Sequence, residues 1–192
     1  RLVEDIQARI VEDRDDEILG VLLRKLYPHF IPPAQIFDYL HTPKDRNLIG
    51  RYFRFWINDL PTAAAENNLP TLLDELVRRR IAIEDTLYER QIYRMTGELL
   101  GRGLNAHGEA ITDGRLYDWL GVGLDKNAHP RLDKKHAERI AKWFAEHPSR
   151  YKAVIDHGIP LCAGSKTISY CWYKCSERLY GASPPSDIVN WY

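Results

Sequence analysis

Apolar residues recur along most of the chain at intervals of three and four, the spacing of one face of an α-helix. Leu2, Val3, Ile6 and Ile10 form one such stripe, and Ile18, Leu19, Leu22, Leu23 and Leu26 form the next. The acidic run Asp15-Asp16-Glu17 opens the second helix, because negative charge opposes the positive end of the helix dipole. Pro28 closes it. Pro32-Pro33 opens a further helix with Ile36, Phe37 and Leu40 on its apolar side, ending before Pro43. Leu48, Tyr52, Phe53, Phe55 and Trp56 mark another, broken at Pro61.

The pattern continues in the second half. Leu72, Leu73, Leu76 and Val77 come after Leu69-Pro70-Thr71, and Arg78-Arg79-Arg80 occupies the last turn, where cations suit the dipole. A long helix is expected over 84–100, through Leu87, Ile92, Met95, Leu99 and Leu100, with Gly101, Gly103 and Gly108 ending it in a loop. Thr112 or Asp113 caps a helix carrying Leu116, Trp119 and Leu120, and Gly121 and Gly123 break it. Asp133 caps the helix with Ala137, Ile140, Ala141 and Phe144, which stops at His147-Pro148. Helices over 149–157 and 166–180 complete the series. The one strand-like stretch is Leu124 to Leu132, a short hairpin or wing around Asn127.

These elements predict an all-α or mainly-α fold: a multi-helix bundle or a superhelical array, with a small winged-helix-like module as an option. No internal repeat of fixed period is present. A change in character near Ile81 divides the chain into 1–80 and 81–192. The stripe begins at the first residues, and Ser183-Pro184-Pro185 with Ile188, Val189 and Trp191 opens a helix as the sequence stops. Both ends are therefore expected to continue in a longer protein.

Charge weighs against one class of partner. Lys plus Arg equals Asp plus Glu at 27 each, with 12 basic and 13 acidic residues in 1–80 and 15 and 14 in 81–192. Nucleic-acid binders take much of their affinity from phosphate neutralisation, so a balanced chain argues against that role unless a local patch exists. Three cysteines cannot all pair, which fits a reducing compartment. No apolar run reaches the ~20 residues needed to cross a bilayer. A cytoplasmic location is the expectation.

Candidate chemistry is thin. Gly164-Ser165-Lys166-Thr167 lacks the spacing of a phosphate-binding loop and reads as a helix entry. His157, Cys162, Cys171 and Cys175 lack the paired spacing of a zinc site, and Cys171 and Cys175 lie four residues apart, as on one buried helix face. The remaining histidines form no His-x3-His or HExxH pattern. No catalytic, cofactor-binding or metal-ligating residue is assigned. The aromatic cluster Phe53, Phe55 and Trp56, beside Tyr52, is too dense to face one side of a regular helix. Either that helix is buried on two sides, or one side is an interface. The three residues stand as candidate interface residues.

Five stretches carry a family resemblance: Leu26 to Leu40 (LYPHFIPPAQIFDYL), Asn47 to Trp56 (NLIGRYFRFW), Asp59-Leu60-Pro61, Trp143 to Lys152 (WFAEHPSRYK) and Arg178 to Pro185 (RLYGASPP). They resemble the region behind the NACHT-type ATPase domain in bacterial STAND NTPases, multidomain proteins that include many antiviral sensors. The resemblance implies a winged-helix-like module over 1–80 and a helical array over 81–192. It implies a non-catalytic regulatory and scaffold segment that couples an upstream nucleotide domain to trigger sensing and oligomerisation. ATP and Mg²⁺ would belong to that upstream domain, since neither Walker motif is present here. The implied partners are the nucleotide domain, downstream helical repeats of the same chain, and further copies of the protein. A stand-alone helical adaptor and a winged-helix nucleic-acid binder remain the alternative readings.

Overall fold

Helix boundaries in this chain are set by which backbone groups find side-chain partners. The computed structural model describes residues 2–7, 12–13, 15–42, 50–79, 86–125, 128–162 and 168–184. Among them the regular elements are helical, and the extended pairing is a single antiparallel bridge between Leu124 and Pro130. The fold is all-α, as the periodicity predicts.

Helix α1 spans Leu2–Gln7 and α2 spans Glu17–Leu26. The carboxylate of Asp13 starts α2 by accepting from the Ile18 and Leu19 amides at 3.2 and 2.7 Å. Those amides are donors that a first helical turn leaves unpaired. After Pro32-Pro33 the expected helix shrinks to a 3-10 turn, Ile36–Tyr39. The Tyr39 and His41 carbonyls, which a longer helix would use internally, instead accept from the Tyr52 and Tyr88 hydroxyls.

Helix α3, Arg51–Arg54, runs into a π-helical turn, Phe55–Asp59, and then α4, Leu60–Ala63. The expected break at Pro61 does not occur. A proline offers no amide donor, and a widened turn ahead of it lets the helix continue without that bond.

Helix α5 covers Leu69–Arg79, and α6 covers Thr86–His107. Arg78 and Arg79 both bind Glu75, and Arg79 also reaches Asp38. Arg80 and the division near Ile81 lie outside the described residues. A single hydrophobic core extends to both sides of that point, with α5 packed on α6.

Helix α6 runs seven residues past its expected end, straight through Gly101 and Gly103. These glycines are contact points, not breaks. A Cβ on Gly101 would lie 2.7 Å from the Arg139 Cδ, and one on Gly103 would collide with the Leu73 side chain. Packing favours the small residue there and outweighs its low helix propensity.

Helices α7 (Asp113–Gly121), α8 (Lys134–Glu146), α9 (Pro148–Cys162) and α10 (Ile168–Glu177) finish the fold. Thr112 accepts from the Arg115 amide at 3.3 Å, and Asp133 accepts from the His136 amide at 3.0 Å, so both expected caps form. Between α7 and α8, the Arg131 amide donates to the Gly123 carbonyl and the Asp125 amide to the His129 carbonyl, each at 2.9 Å. This is the short hairpin expected over Leu124 to Leu132; Asn127 at its tip is outside the described residues. Helix α9 extends five residues beyond 157, with Pro160 in its last turn, and packs along α10 and α7. Among the described residues no helix is long and apolar enough to cross a membrane.

Candidate functional site

The candidate interface residues lie inside the protein's own core. Phe53, Phe55 and Trp56 are 2%, 1% and 0% exposed, so the docking surface expected of them is not there. Of the two readings, the helix buried on two sides is the one observed. Phe37 stacks on Trp56 from the 3-10 turn at 6.0 Å, Tyr27 meets Phe55 edge-on from the end of α2, and Tyr88 meets Phe53 from α6 at 5.3 Å. The π-helical turn carries the change of face, because it adds an extra residue to one turn and so rotates the helix beyond it.

A polar clasp surrounds this aromatic core. The Tyr52 hydroxyl donates to the Tyr39 carbonyl at 2.9 Å, and the Tyr88 hydroxyl donates to the His41 carbonyl at 2.6 Å. His41 Nε2 is 3.3 Å from the buried carboxylate of Asp16. Burial pushes the Tyr52 and Tyr88 phenols up, which keeps both protonated as donors. A paired Asp and His are two members of a nucleophile-activating arrangement, but the Tyr52 hydroxyl beside them lies closer to the Tyr39 and His41 carbonyls, at 2.9 and 3.1 Å, than to the His41 ring at 3.3 Å. The arrangement ties residues 39–41 to α3 and α6.

Among the described residues, the members of the cysteine set do not assemble into a ligand cluster. Cys175 is buried on α10, and the His157 ring packs on Tyr117 at 5.4 Å. Cys162 is partly exposed; the Cys171 side chain and residues 164–167 are outside the described residues. Among the described residues no group of three or more His, Cys, Asp or Glu is placed to hold a metal.

A cleft of about 930 Å³ opens between the π turn with α4, the outer face of α6 and the start of α8. Arg90, Arg94, Glu98 and Arg102 succeed one another at four-residue intervals along α6 and all line it. Ile57, Asn58, Pro61 and Thr62 form the facing wall. Arg131, Lys134 and Lys135 close one end. Six Arg and Lys residues therefore face two carboxylates, Glu98 and Asp133, in a chain whose total charge is zero.

Both carboxylates are already engaged. Glu98 takes Arg139 at 3.0 Å and His136 Nε2 at 3.3 Å, while Asp133 lies 2.7 Å from His136 Nδ1. Burial works to raise the Glu98 carboxyl, but Arg139 and His136 outweigh it and hold it below the ordinary range. Asp133 behaves alike: burial is outweighed by the His136 amide and ring and by the charge of Arg94. Arg102 is fixed by donating to the Pro61 and Ala64 carbonyls, which position its guanidinium without cancelling its charge. Arg131 pairs with Asp125 at 2.7 Å, and Lys134 lies 3.7 Å from Glu138.

None of these cleft residues stands out from the apolar pattern of α6, which draws attention to the opposite side of the helix. A signal is nonetheless present: Arg90-x3-Arg94-x3-Glu98-x3-Arg102 is a polar stripe at helical spacing. A whole-chain charge count conceals it, because acidic residues elsewhere bring the total to zero. No protein-family model, no curated protein and no solved structure matches the chain.

Proposed function

We propose that the chain is a non-catalytic regulatory and scaffold module of a bacterial STAND-type NTPase with a NACHT-type nucleotide domain. It couples nucleotide state to trigger sensing and oligomerisation, in the setting of antiviral defence. The observation that supports this reading is that the stretches resembling that family supply much of the fold's core. Ile36, Phe37, Tyr52, Trp56, Phe144 and Tyr151 are among their residues, and all are buried in one shared core. Side chains that build and hold a shared core are what a scaffold contributes to a larger machine.

The mechanism is a docking equilibrium. The module packs on the nucleotide domain in one state and releases in the other, and ATP shifts that balance only through its different affinity for the two. ATP and Mg²⁺ act on the neighbouring domain. With Phe53, Phe55 and Trp56 interior, docking falls to side chains such as Phe30, which is 78% exposed, and Ile18.

The test is a binding measurement between this chain and a purified nucleotide domain from the longer protein, loaded with ATP or with ADP. A clear difference in affinity between the two loaded states supports the module. Equal affinity for both, or none for either, overturns it.

A further inference from the structure

We infer that the cleft between α4, α6 and α8 is a binding site for a compact oligophosphate anion, such as inorganic tripolyphosphate or the phosphate tail of a nucleotide. The inference is independent of the regulatory reading above, because it rests on local geometry and charge.

Three observations carry it. First, part of the positive charge is uncompensated. Arg90 and Lys135 make no ion pair or hydrogen bond among the described residues, and Arg94 reaches Asp133 only through space. Arg90 and Arg94, four residues apart on one helix, are like charges that repel, so this pair costs the empty protein some stability. Arginine forks match phosphate oxygens two at a time, and a bound anion would remove the repulsion.

Second, the cleft has a polar wall and a limited size. About 930 Å³ falls within the few-hundred-to-thousand Å³ range typical of small-ligand sites. From Arg90 to Arg102 the helix rises roughly 18 Å, which is long for one phosphate and suits a chain of them. Asn58 and Thr62 offer uncharged polar groups on the facing wall.

Third, among the described residues the cleft is lined by no aromatic ring other than the His136 imidazole, which is spent on Glu98 and Asp133. Single-stranded nucleic-acid sites combine charge with aromatic faces on which bases stack. Duplex DNA is read by a protruding helix or ribbon rather than a recess. The charge here addresses phosphate without a platform for bases.

The experiment is calorimetric titration of the whole chain at low salt with tripolyphosphate, ATP and short single- and double-stranded oligonucleotides. Three proteins are compared. One is the native chain. The second is Arg90→Gln/Arg94→Gln/Lys135→Gln, whose three positions are exposed and leave the core intact. The third is Arg78→Gln/Lys142→Gln/Lys152→Gln, which loses three exposed cations outside the cleft. Saturable tripolyphosphate binding, weakened about tenfold or more in the cleft variant and retained in the control, supports the site. ATP binding like tripolyphosphate assigns recognition to the phosphates alone, and ATP binding much more tightly assigns the ligand to nucleotides. The proposal fails if tripolyphosphate does not bind, if both variants bind equally well, or if an oligonucleotide displaces it at lower phosphate concentration.

Discussion

Gly20 of α2 lies directly against Tyr52 of α3, so close that a Cβ on Gly20 would sit 2.7 Å from the Tyr52 Cα. The obstacle is backbone, which cannot rotate aside as a side chain can. Gly20→Ala is therefore expected to destabilise the protein by about 1–3 kcal/mol, although alanine is the better helix former. Urea unfolding measures this directly. A neutral or stabilising result would mean that α2 and α3 are further apart than this contact implies.

Trp56 tests the core. It is fully buried and touches Phe37, Tyr52 and Phe55. Trp56→Ala is expected to cost about 3–5 kcal/mol, a large part of the stability of an ordinary domain. Its remaining folded fraction should bind a nucleotide domain as well as the native chain does. Weaker docking by folded Trp56→Ala would restore the interface role that its burial removes.

Acid should loosen the contact between α6 and α8. Glu98 and Asp133 are held below their ordinary values of 4.5 and 3.8, so both are more acidic folded than unfolded. Their contribution is complete above those ordinary values and is lost as pH falls through the lower, folded ones. Stability followed by urea midpoint should decline from about pH 5 downwards, and Glu98→Gln should flatten the decline. A Glu98→Gln profile parallel to the native one would show that the Arg139 and His136 contacts do not act on this carboxyl.

Cysteine reactivity separates two environments. Burial pushes the Cys175 thiol up, and only thiolate attacks an alkylating reagent. Cys162 is partly exposed. Peptide mass spectrometry after brief alkylation of native protein should find label at Cys162 well before Cys175, with the gap closing in denaturant. Equal rates in native protein would contradict the packing of α10 on α9.

Local chemistry was the legible part of the sequence. The acidic start of α2, the Thr112 and Asp133 caps and the hairpin before α8 all depend on residues within a few positions of one another. Outcomes decided across the fold could not be read. Gly101 and Gly103 look like breakers in one dimension and become contact points only when Arg139 and Leu73 arrive. Pro61 looks like a stop until the π turn before it is known. The crowding of Phe53, Phe55 and Trp56 signalled burial on two sides or an interface, and spacing alone could not choose between them. The basic cleft was hidden differently, since its cations come from one side of α6 and from the start of α8, and most of the chain's acids lie elsewhere.

The two sides of α6 have a joint consequence. Met95, Leu99 and Leu100 anchor the helix in the core, while Arg90, Arg94 and Arg102 ride on its outer side. One backbone thus sets the interval between charges, roughly 6 Å for each four-residue step. The row works as a ruler whose graduations are fixed by the packing beneath them. Surface substitutions can erase a mark on it, but moving one would require a change that also disturbs the interior.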